Sequence, residues 1–281
     1  MKKRVFAAVL AACILTMTAC SPTQETIDSS DLEEETTTEV TEDDSDITES
    51  ETDETQEDET QEDVIPDIPV APQQLPETVD VGSYIEFGYY EQDNDLSNGR
   101  EAIEWLVLAV DGNKALLISR NALDWQPYNS DANEFTWETC TLRNWLNTSF
   151  INEAFSGEQQ NIIVNTTNVN ENDNPFYESL GGNDTTDQVF LLSINEAEYL
   201  YFDSSEARVC MPTQYANARY VEASGGSTNI EECLWWLRSP GIDNYRAAIV
   251  SKTGMFNYYG REANFVRFPI YIRPAMWIEL Q

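Results

Sequence analysis

Residues 105–119 read WLVLAVDGNKALLIS, and this stretch decides the fold of the chain. Two apolar runs, at 105–110 and 115–119, flank the turn sequence Asp111-Gly-Asn113. A short turn of this composition between two runs rich in strand formers is typical of a β-hairpin. The segment therefore predicts a pair of antiparallel strands.

Further strand patterns lie on both sides of this hairpin, and helix patterns lie between them. Strands at both ends of a region with helices in the middle predict an α+β fold: a single domain of mixed antiparallel sheets, several helices and long loops. The predicted strands are 84–90, 187–193, 234–238, 247–251, 256–259 and 271–280. The predicted helices are 142–150, a helix from the capping box at Ser156 through Ile163, one from the box at Ser193 through Tyr201, and one from Pro212 through Ala218.

The N-terminus has the pattern of a secretory signal that ends at Cys20. Basic residues at 2–4 precede an apolar run at 5–17, and the small residues Thr18 and Ala19 stand before the cysteine. The segment resembles bacterial lipoprotein signals, which are cut before the cysteine that is then acylated. We expect residues 1–19 to be removed and the lipid on Cys20 to hold the protein at the extracellular face of the cell membrane. An ordinary secretion signal with an incidental cysteine is the alternative.

An acidic segment follows, at residues 20–80. It holds 23 Asp and Glu and no Lys or Arg. Such a composition buries too little apolar surface to offset its ordering entropy, so the sequence predicts a disordered, solvated stalk rather than a calcium buffer. The globular domain is predicted at 81–281.

The charge and composition of residues 81–281 exclude several function classes. The region has 28 acids and 12 bases, a net charge of −16, which disfavours nucleic acid and anionic lipid as partners. Histidine is absent from the chain, which removes serine or cysteine nucleophiles activated by imidazole and metal sites that use it. Asp93-Asn-Asp-Leu-Ser97 has oxygen ligands at calcium-loop spacing but lacks the glycine and the bidentate glutamate, so a solvated turn is favoured. No metal and no cofactor are predicted.

Three cysteines remain in this region. We expect Cys210 and Cys233 to be neighbours that could form a disulfide, because thiols outside the cytoplasm can oxidise. Cys140 stands beside the helical stripe of Leu142 and Trp145 and is predicted to be buried and unpaired.

Five ordered motifs carry a family resemblance: 90–108 (YEQDNDLSNGREAIEWLVL), 136–147 (TWETCTLRNWLN), 187–193 (DQVFLLS), 235–241 (WWLRSPG) and 272–277 (IRPAMW). Together they resemble the domain of unknown function 6273 over 81–281, a resemblance that implies no activity. The last two motifs also resemble the C-type-lectin-like fold shared by formylglycine-generating enzymes. That fold implies that 105–110 pairs with 271–280. The formylglycine-generating activity is not expected, because its cysteine pair has no matching motif here.

Aromatic and arginine residues in these motifs have a structural and a functional interpretation. The tryptophans at 105, 145, 235, 236 and 277 could stack on sugars, but core packing is favoured. Arg143, Arg238 and Arg273 could bind a carboxylate ligand, but we expect internal ion pairs with residues such as Glu104 or Asp187. Pro274 within a strand pattern indicates an edge or a bulge.

Two function hypotheses remain. The first is a tethered recognition domain that binds a glycan or an envelope protein through the loops 241–247 and 254–268. The second is a histidine-independent extracellular enzyme acting on a cell-envelope glycan or peptide, with a purely structural role as a third option. The first hypothesis predicts that Tyr258 and Tyr259 are exposed together. Its candidate ligand-binding residues are Asn244, Tyr245, Arg246, Asn257, Tyr258, Tyr259, Arg261 and Asn264.

Overall fold

Strands dominate the computed structural model of the chain, which describes residues 75–226, 233–264 and 270–281. Cys20 and nearly all of the predicted stalk lie outside the described residues. The strands are β1 Tyr84–Tyr90, β2 Glu101–Asp111, β3 Lys114–Ser119, β4 Asp124–Trp125, β5 Thr166–Asn168, β6 Thr185–Asp187, β7 Leu234–Pro240, β8 Arg246–Val250, β9 Phe256–Glu262, β10 Ile270–Ile272 and β11 Ala275–Glu279. The α-helices are α1 Thr141–Trp145, α2 Ile151–Ala154, α3 Gly157–Gln160, α4 Ser205–Arg208 and α5 Gln214–Ser224. The predicted α+β class is confirmed.

A four-stranded antiparallel sheet has the order β1-β2-β3-β11. The predicted hairpin is its centre: β2 pairs with β3, and Gly112 takes the positive φ of 60° that the turn requires. Trp105 in β2 is fully buried, and its indole NH donates to the carbonyl of Phe87 at 2.6 Å. This sheet therefore has a packed face whose one indole donor is satisfied.

Residues 105–110 and 275–279 lie in one sheet, as predicted, but the direct pairing predicted for 105–110 with 271–280 is wrong. β11 pairs with β3, so the hairpin's second strand separates it from β2, although all three belong to one sheet. The pattern at 271–280 is also two strands rather than one, because β10 ends at Ile272 and β11 starts at Ala275. Between them, Pro274 has no amide hydrogen to donate to a ladder, and the chain passes from one sheet to the other there.

A second sheet of five strands has the order β4-β10-β7-β8-β9 and is mixed, since β10 and β7 run parallel. Neighbouring residues of a strand point to opposite faces, yet Trp235 and Trp236 of β7 are both buried. Both faces of this sheet are therefore covered. Core packing of the tryptophans is confirmed for these two and for Trp105, while Trp145 and Trp277 are partly buried.

The predicted helix at 142–150 is part of a longer helical run, α1 followed by a π-helical turn at Leu146–Phe150 and then α2. The capping box at Ser156 is confirmed, with both reciprocal hydrogen bonds to Gln159 present. The helix ends at Gln160, however, because Ile163 forms a bridge to Ile278 of β11. No helix in the described ranges is long and apolar enough to cross a membrane.

Two other predicted elements differ from the structure. The strand predicted at 187–193 is wrong: only Thr185–Asp187 pairs, with β5, and the following run Val189–Leu192 is buried without regular structure apart from a bridge between Phe190 and Ala275. An apolar run indicates burial but does not specify a ladder. The predicted helix from Pro212 begins later, since its N-cap is Thr213, whose hydroxyl accepts from the amide of Ala216 at 3.0 Å.

Two of the three cysteines are neighbours, and the third is a single buried thiol. The Sγ atoms of Cys210 and Cys233 lie 3.4 Å apart and are both thiols, and Cys140 is buried, its thiol donating to the carbonyl of Trp137. The hydrogen bond from Cys233 lowers the pKa of Cys210, whereas burial raises the pKa of Cys233. Burial also raises the pKa of Cys140 to about 12, which disfavours its nucleophilic thiolate form.

Asp124 of β4 is a carboxylate buried in the core, with 2% of its surface exposed. The hydroxyl of Tyr90 donates to it at 2.6 Å, and the guanidinium of Arg219 lies 3.8 Å away. Burial outweighs both partners and raises the pKa of Asp124 from 3.8 to about 6.

The raised pKa predicts how Asp124→Asn changes the pH dependence of stability. The folded state holds the Asp124 proton more tightly than the unfolded chain, so this carboxyl makes the wild type lose stability as pH rises from about 4 to 6. The asparagine side chain of the variant does not titrate, so the variant does not lose this stability. The free energy of unfolding of the variant, relative to that of wild type, should therefore rise by about 1 to 3 kcal/mol between pH 4 and pH 7. Urea denaturation at each pH measures the difference. Asp203→Asn, an exposed control, should show none, and a pH-independent difference for Asp124→Asn would contradict the assignment.

Candidate functional site

A cleft of about 640 Å³ opens between loops of the described domain. Its walls come from the segment before α1, the loop after β5, the segment before β6 and the turn between β7 and β8. The lining residues are Glu134, Phe135, Thr136, Glu138, Thr139, Asn170, Glu171, Asn172, Ser179, Leu180, Gly181, Gly182, Asn183 and Asn244. Of the residues predicted for ligand binding, Asn244 lines this cleft.

Asn244 joins two walls of the cleft. Its backbone carbonyl accepts from the amide of Phe135 at 2.9 Å, and its side-chain amide donates to the carbonyl of Leu180 at 2.8 Å. The side-chain oxygen of Asn244 accepts from the amide of Leu180 at 3.3 Å. Asn244 therefore holds the cleft open with a fixed spacing, and its polar groups are already used.

Gly181 and Gly182 let the same walls approach closely. A Cβ at Gly181 would collide with the backbone carbonyl of Asn170. Gly182 has a φ of +93°, and a Cβ there would lie 2.6 Å from the hydroxyl of Thr136. Both positions therefore require glycine, because a side chain would push the walls apart.

Asparagines at every second position secure the loop after β5. The side-chain amide of Asn170 donates to the carbonyl of Asn183 at 2.9 Å, that of Asn172 donates to Tyr177 at 2.6 Å, and that of Asn174 donates to Pro240 at 2.9 Å. These contacts replace the backbone ladder that an irregular segment lacks. The cleft wall is thus built by side chains.

Beneath this loop lies Asp187, a buried carboxylate with four donors. One oxygen accepts from Trp137, Asn168 and Thr185 at 3.0, 2.8 and 2.7 Å. The other accepts from the guanidinium of Arg143 at 2.6 Å, so the predicted pair of Arg143 with Asp187 is confirmed. The hydroxyl of Thr185 also accepts from Asn170, which connects the buried charge to the cleft lining.

The other two arginines differ in their partners. Arg238 forms a bidentate ion pair with Glu196, which is also the acidic partner of the capping box at Ser193, so its predicted pairing with a carboxylate is confirmed with a different residue. The prediction for Arg273 is wrong: among the residues described, no carboxylate forms a salt bridge with it. Its guanidinium donates to backbone carbonyls instead. Glu104, which is exposed in part, pairs with Arg120 at 2.7 Å.

Tyr258 and Tyr259 are not exposed together, which corrects the prediction. They are consecutive residues of β9 and point to opposite faces. Tyr258 is half-buried and its hydroxyl donates to Glu198 at 2.7 Å, whereas Tyr259 is 49% exposed and packs on the guanidinium of Arg246.

The remaining predicted loop residues are spread over this surface. Tyr245, Arg246 and Asn264 line a smaller cavity of about 360 Å³. Arg246 is bound there by Asp243 and by Glu262, the latter at 2.9 Å. Asn257 accepts from the amide of Gly260 at 3.1 Å and Arg261 is half-buried, both in β9, while residues 265–268 of the predicted loop lie outside the described residues. The eight residues therefore do not form one surface.

The main cleft is acidic and rich in amides, which sequence reasoning missed. Glu134, Glu138 and Glu171 line it, and its lining includes no Lys or Arg. Glu138 accepts from the side chain of Asn183 at 2.9 Å, while Leu180 is 71% exposed and adds an apolar surface. The signal in the sequence was the alternation of asparagine at 168–174, NVNENDN. Such a cleft suits a ligand that donates hydrogen bonds and carries no negative charge.

Comparison with known families adds one finding. A family model described as a domain of unknown function, DUF6273, matches residues 112–280, more than half of the chain. The chain belongs to the DUF6273 family. The match begins at the hairpin turn and includes every residue that lines the main cleft, whereas β1 and β2 precede it. No curated protein and no solved structure matches the chain significantly.

The polar network under the DUF6273 cleft predicts the effect of Asp187→Ala. This variant leaves the Arg143 charge and three buried donors without their acceptor, so the free energy of unfolding should fall by about 3 to 5 kcal/mol. Chemical denaturation measures the loss, and exposed Asp131→Ala should stay within about 0.5 kcal/mol of wild type. An equally small effect for Asp187→Ala would contradict this role.

Proposed function

We propose that this DUF6273 domain is a recognition module that binds a neutral or amine-bearing glycan in its main cleft. The observation that carries the proposal is the lining itself, with three glutamates, four asparagines and no Lys or Arg. Sugar hydroxyls and amines donate hydrogen bonds to carboxylates and amide oxygens, and anionic groups are repelled by them.

The shape of the cleft supports a glycan over a flat protein surface. A volume of about 640 Å³ lies within the range of small-molecule sites. The exposed side chain of Leu180 offers an apolar surface for the face of a sugar ring. Asn244 and two required glycines hold the walls of the cleft in place, so the site is formed before a ligand binds. A preformed site loses less conformational entropy on binding.

The proposal includes the location and a fold-level likeness. The signal ending at Cys20 and the acidic segment after it support a lipoprotein that holds the domain outside the cell membrane. Strands from both ends of the domain, β1 and β11, belong to one sheet, which is compatible with a C-type-lectin-like closure. The enzymatic hypothesis has no comparable support, since the carboxyl whose pKa rises to about 6, Asp124, is buried outside the cleft lining.

Removing two exposed carboxylates of the cleft should weaken glycan binding. Glu134→Ala combined with Glu171→Ala takes away acceptors while leaving the contacts of Asn244 and Glu138 in place. We expect at least a tenfold loss in affinity, about 1.4 kcal/mol or more. A glycan array first identifies a ligand. Calorimetric titration then measures the affinity of wild type and variant, with chitin oligomers as a neutral probe and chitosan oligomers as an amine-bearing probe.

The control is the pair Glu158→Ala and Glu279→Ala, which removes two exposed glutamates outside the cleft. This control should bind like wild type, and anionic hyaluronan should bind to none of the three proteins. Equal affinity of the cleft variant and wild type would exclude the cleft. Turnover of any of these glycans would instead support the enzymatic hypothesis.

The lipid anchor has its own test. Cys20→Ala removes the thiol that acylation requires, so the protein should leave the membrane fraction for the medium or accumulate with its signal uncut. Immunoblots of cell fractions and the intact mass of the wild type measure both results. Unchanged membrane retention of Cys20→Ala, with no lipid mass on the wild type, would contradict the anchor.

A further inference from the structure

A second acidic site lies away from the cleft, where β1 and β2 are joined. Glu91 directly follows β1, Glu101 begins β2, and Asp93 lies in the connecting loop. Tyr90 and Glu101 are register partners, which brings the two strand ends together. One carboxylate oxygen from each of the three acids lies within 4.8 Å of the others.

Glu91 is the unusual member of this cluster. Its exposed fraction is 0%, and both of its carboxylate oxygens are buried without a hydrogen-bond partner among the described residues. No salt bridge to Glu91 is found there either. A buried carboxylate without a cation beside it is strongly disfavoured, so the charge of Glu91 requires a counter-charge.

The other two carboxylates are held in position and keep free lone pairs. Asp93 accepts from the amide of Asp95 at 2.8 Å and from the side chain of Asn98 at 2.8 Å. Glu101 accepts from the amide of Gln92 at 2.7 Å through one oxygen. A carboxylate has about four acceptor sites, so each can still bind a cation.

We propose that Glu91, Asp93 and Glu101 bind a calcium ion. Three carboxylates supply up to six oxygens, and Ca²⁺ takes six to eight oxygen ligands in irregular geometry, with backbone carbonyls or water completing the shell. All donors are oxygens, which disfavours zinc, and Mg²⁺ demands a stricter octahedron. The cation supplies the counter-charge that Glu91 lacks.

The loop sequence Asp93-Asn-Asp-Leu-Ser97 alone indicated a solvated turn, and Asp95 does serve that turn, since it accepts from Ser97. The missing ligands come from the strand ends, which are close only in the folded chain. Asn94, with a φ of 64°, reverses the loop between them.

Calorimetric titration of the mature chain with CaCl₂ tests the site. The acidic segment is identical in every variant, so the comparison between wild type and Glu91→Gln, which keeps the shape of the side chain, cancels any calcium bound there. We expect wild type to show one site with a Kd of roughly 10⁻⁴ M to 10⁻³ M or tighter. Glu91→Gln should weaken that site at least tenfold, and MgCl₂ should bind it more weakly than CaCl₂.

Thermal unfolding supplies a second readout and a control. Calcium should raise the Tm of wild type and of Glu86→Gln, an exposed change of equal charge in β1. Calcium should not raise the Tm of Glu91→Gln or of Asp93→Asn. Asp93→Asn is the test variant if Glu91→Gln fails to fold. The proposal would be overturned if wild type and Asp93→Asn bound calcium equally and gained the same Tm. It would also be overturned if titration of wild type showed no such calcium site.

Discussion

The two sheets depend on a single bend in a β-ribbon, where Arg273 is buried. β3 and β11 pair in one sheet, and the same two chain segments continue as β4 and β10 in the other. At the bend, Ser119 donates to the carbonyl of Pro274 at 3.0 Å, and the guanidinium of Arg273 donates to the carbonyl of Ser119 at 2.9 Å. Phe202 and Trp235 lie against the cation. Carbonyl dipoles and aromatic faces thus satisfy a charge that has no carboxylate partner in the described part of the chain.

Away from the bend, the paired charges of Asp187 and Arg238 support loops instead of sheets. Asp187 accepts four hydrogen bonds under the cleft, and Arg238 joins β7 to Glu196, the acidic partner of the capping box at Ser193. A paired and fully hydrogen-bonded buried ion contributes little net stability, but its geometry is specific. This is why a long segment with hardly any regular structure can form a fixed wall: its position is set by directional bonds to residues such as Asn170 and not by apolar contact.

The sequence allowed the local elements to be predicted better than their assembly. The hairpin at 105–119 and the capping box at Ser156 depend on residues a few positions apart, and both are confirmed. Direct pairing of the terminal strands was wrong, because strand order depends on contacts that periodicity does not encode. Tyr258 and Tyr259 were placed on one surface although a strand alternates its faces. The cleft was missed because its residues come from three separate loops, and a cluster of that kind appears only after folding.

The distribution of charge connects the cleft to the calcium site. Arg208, Arg238 and Arg273 are buried, and Arg100, Arg120, Arg143, Arg219 and Arg246 each pair with a carboxylate. The domain has only 12 bases against 28 acids, so most of its positive charge neutralises its own interior or nearby acids. The acids left over face solvent or line cavities. Their field attracts cations and hydrogen-bond donors and repels polyanions. The two ligands proposed above, a divalent ion at Glu91 and an uncharged or amine-bearing glycan at the cleft, are compatible with such a field.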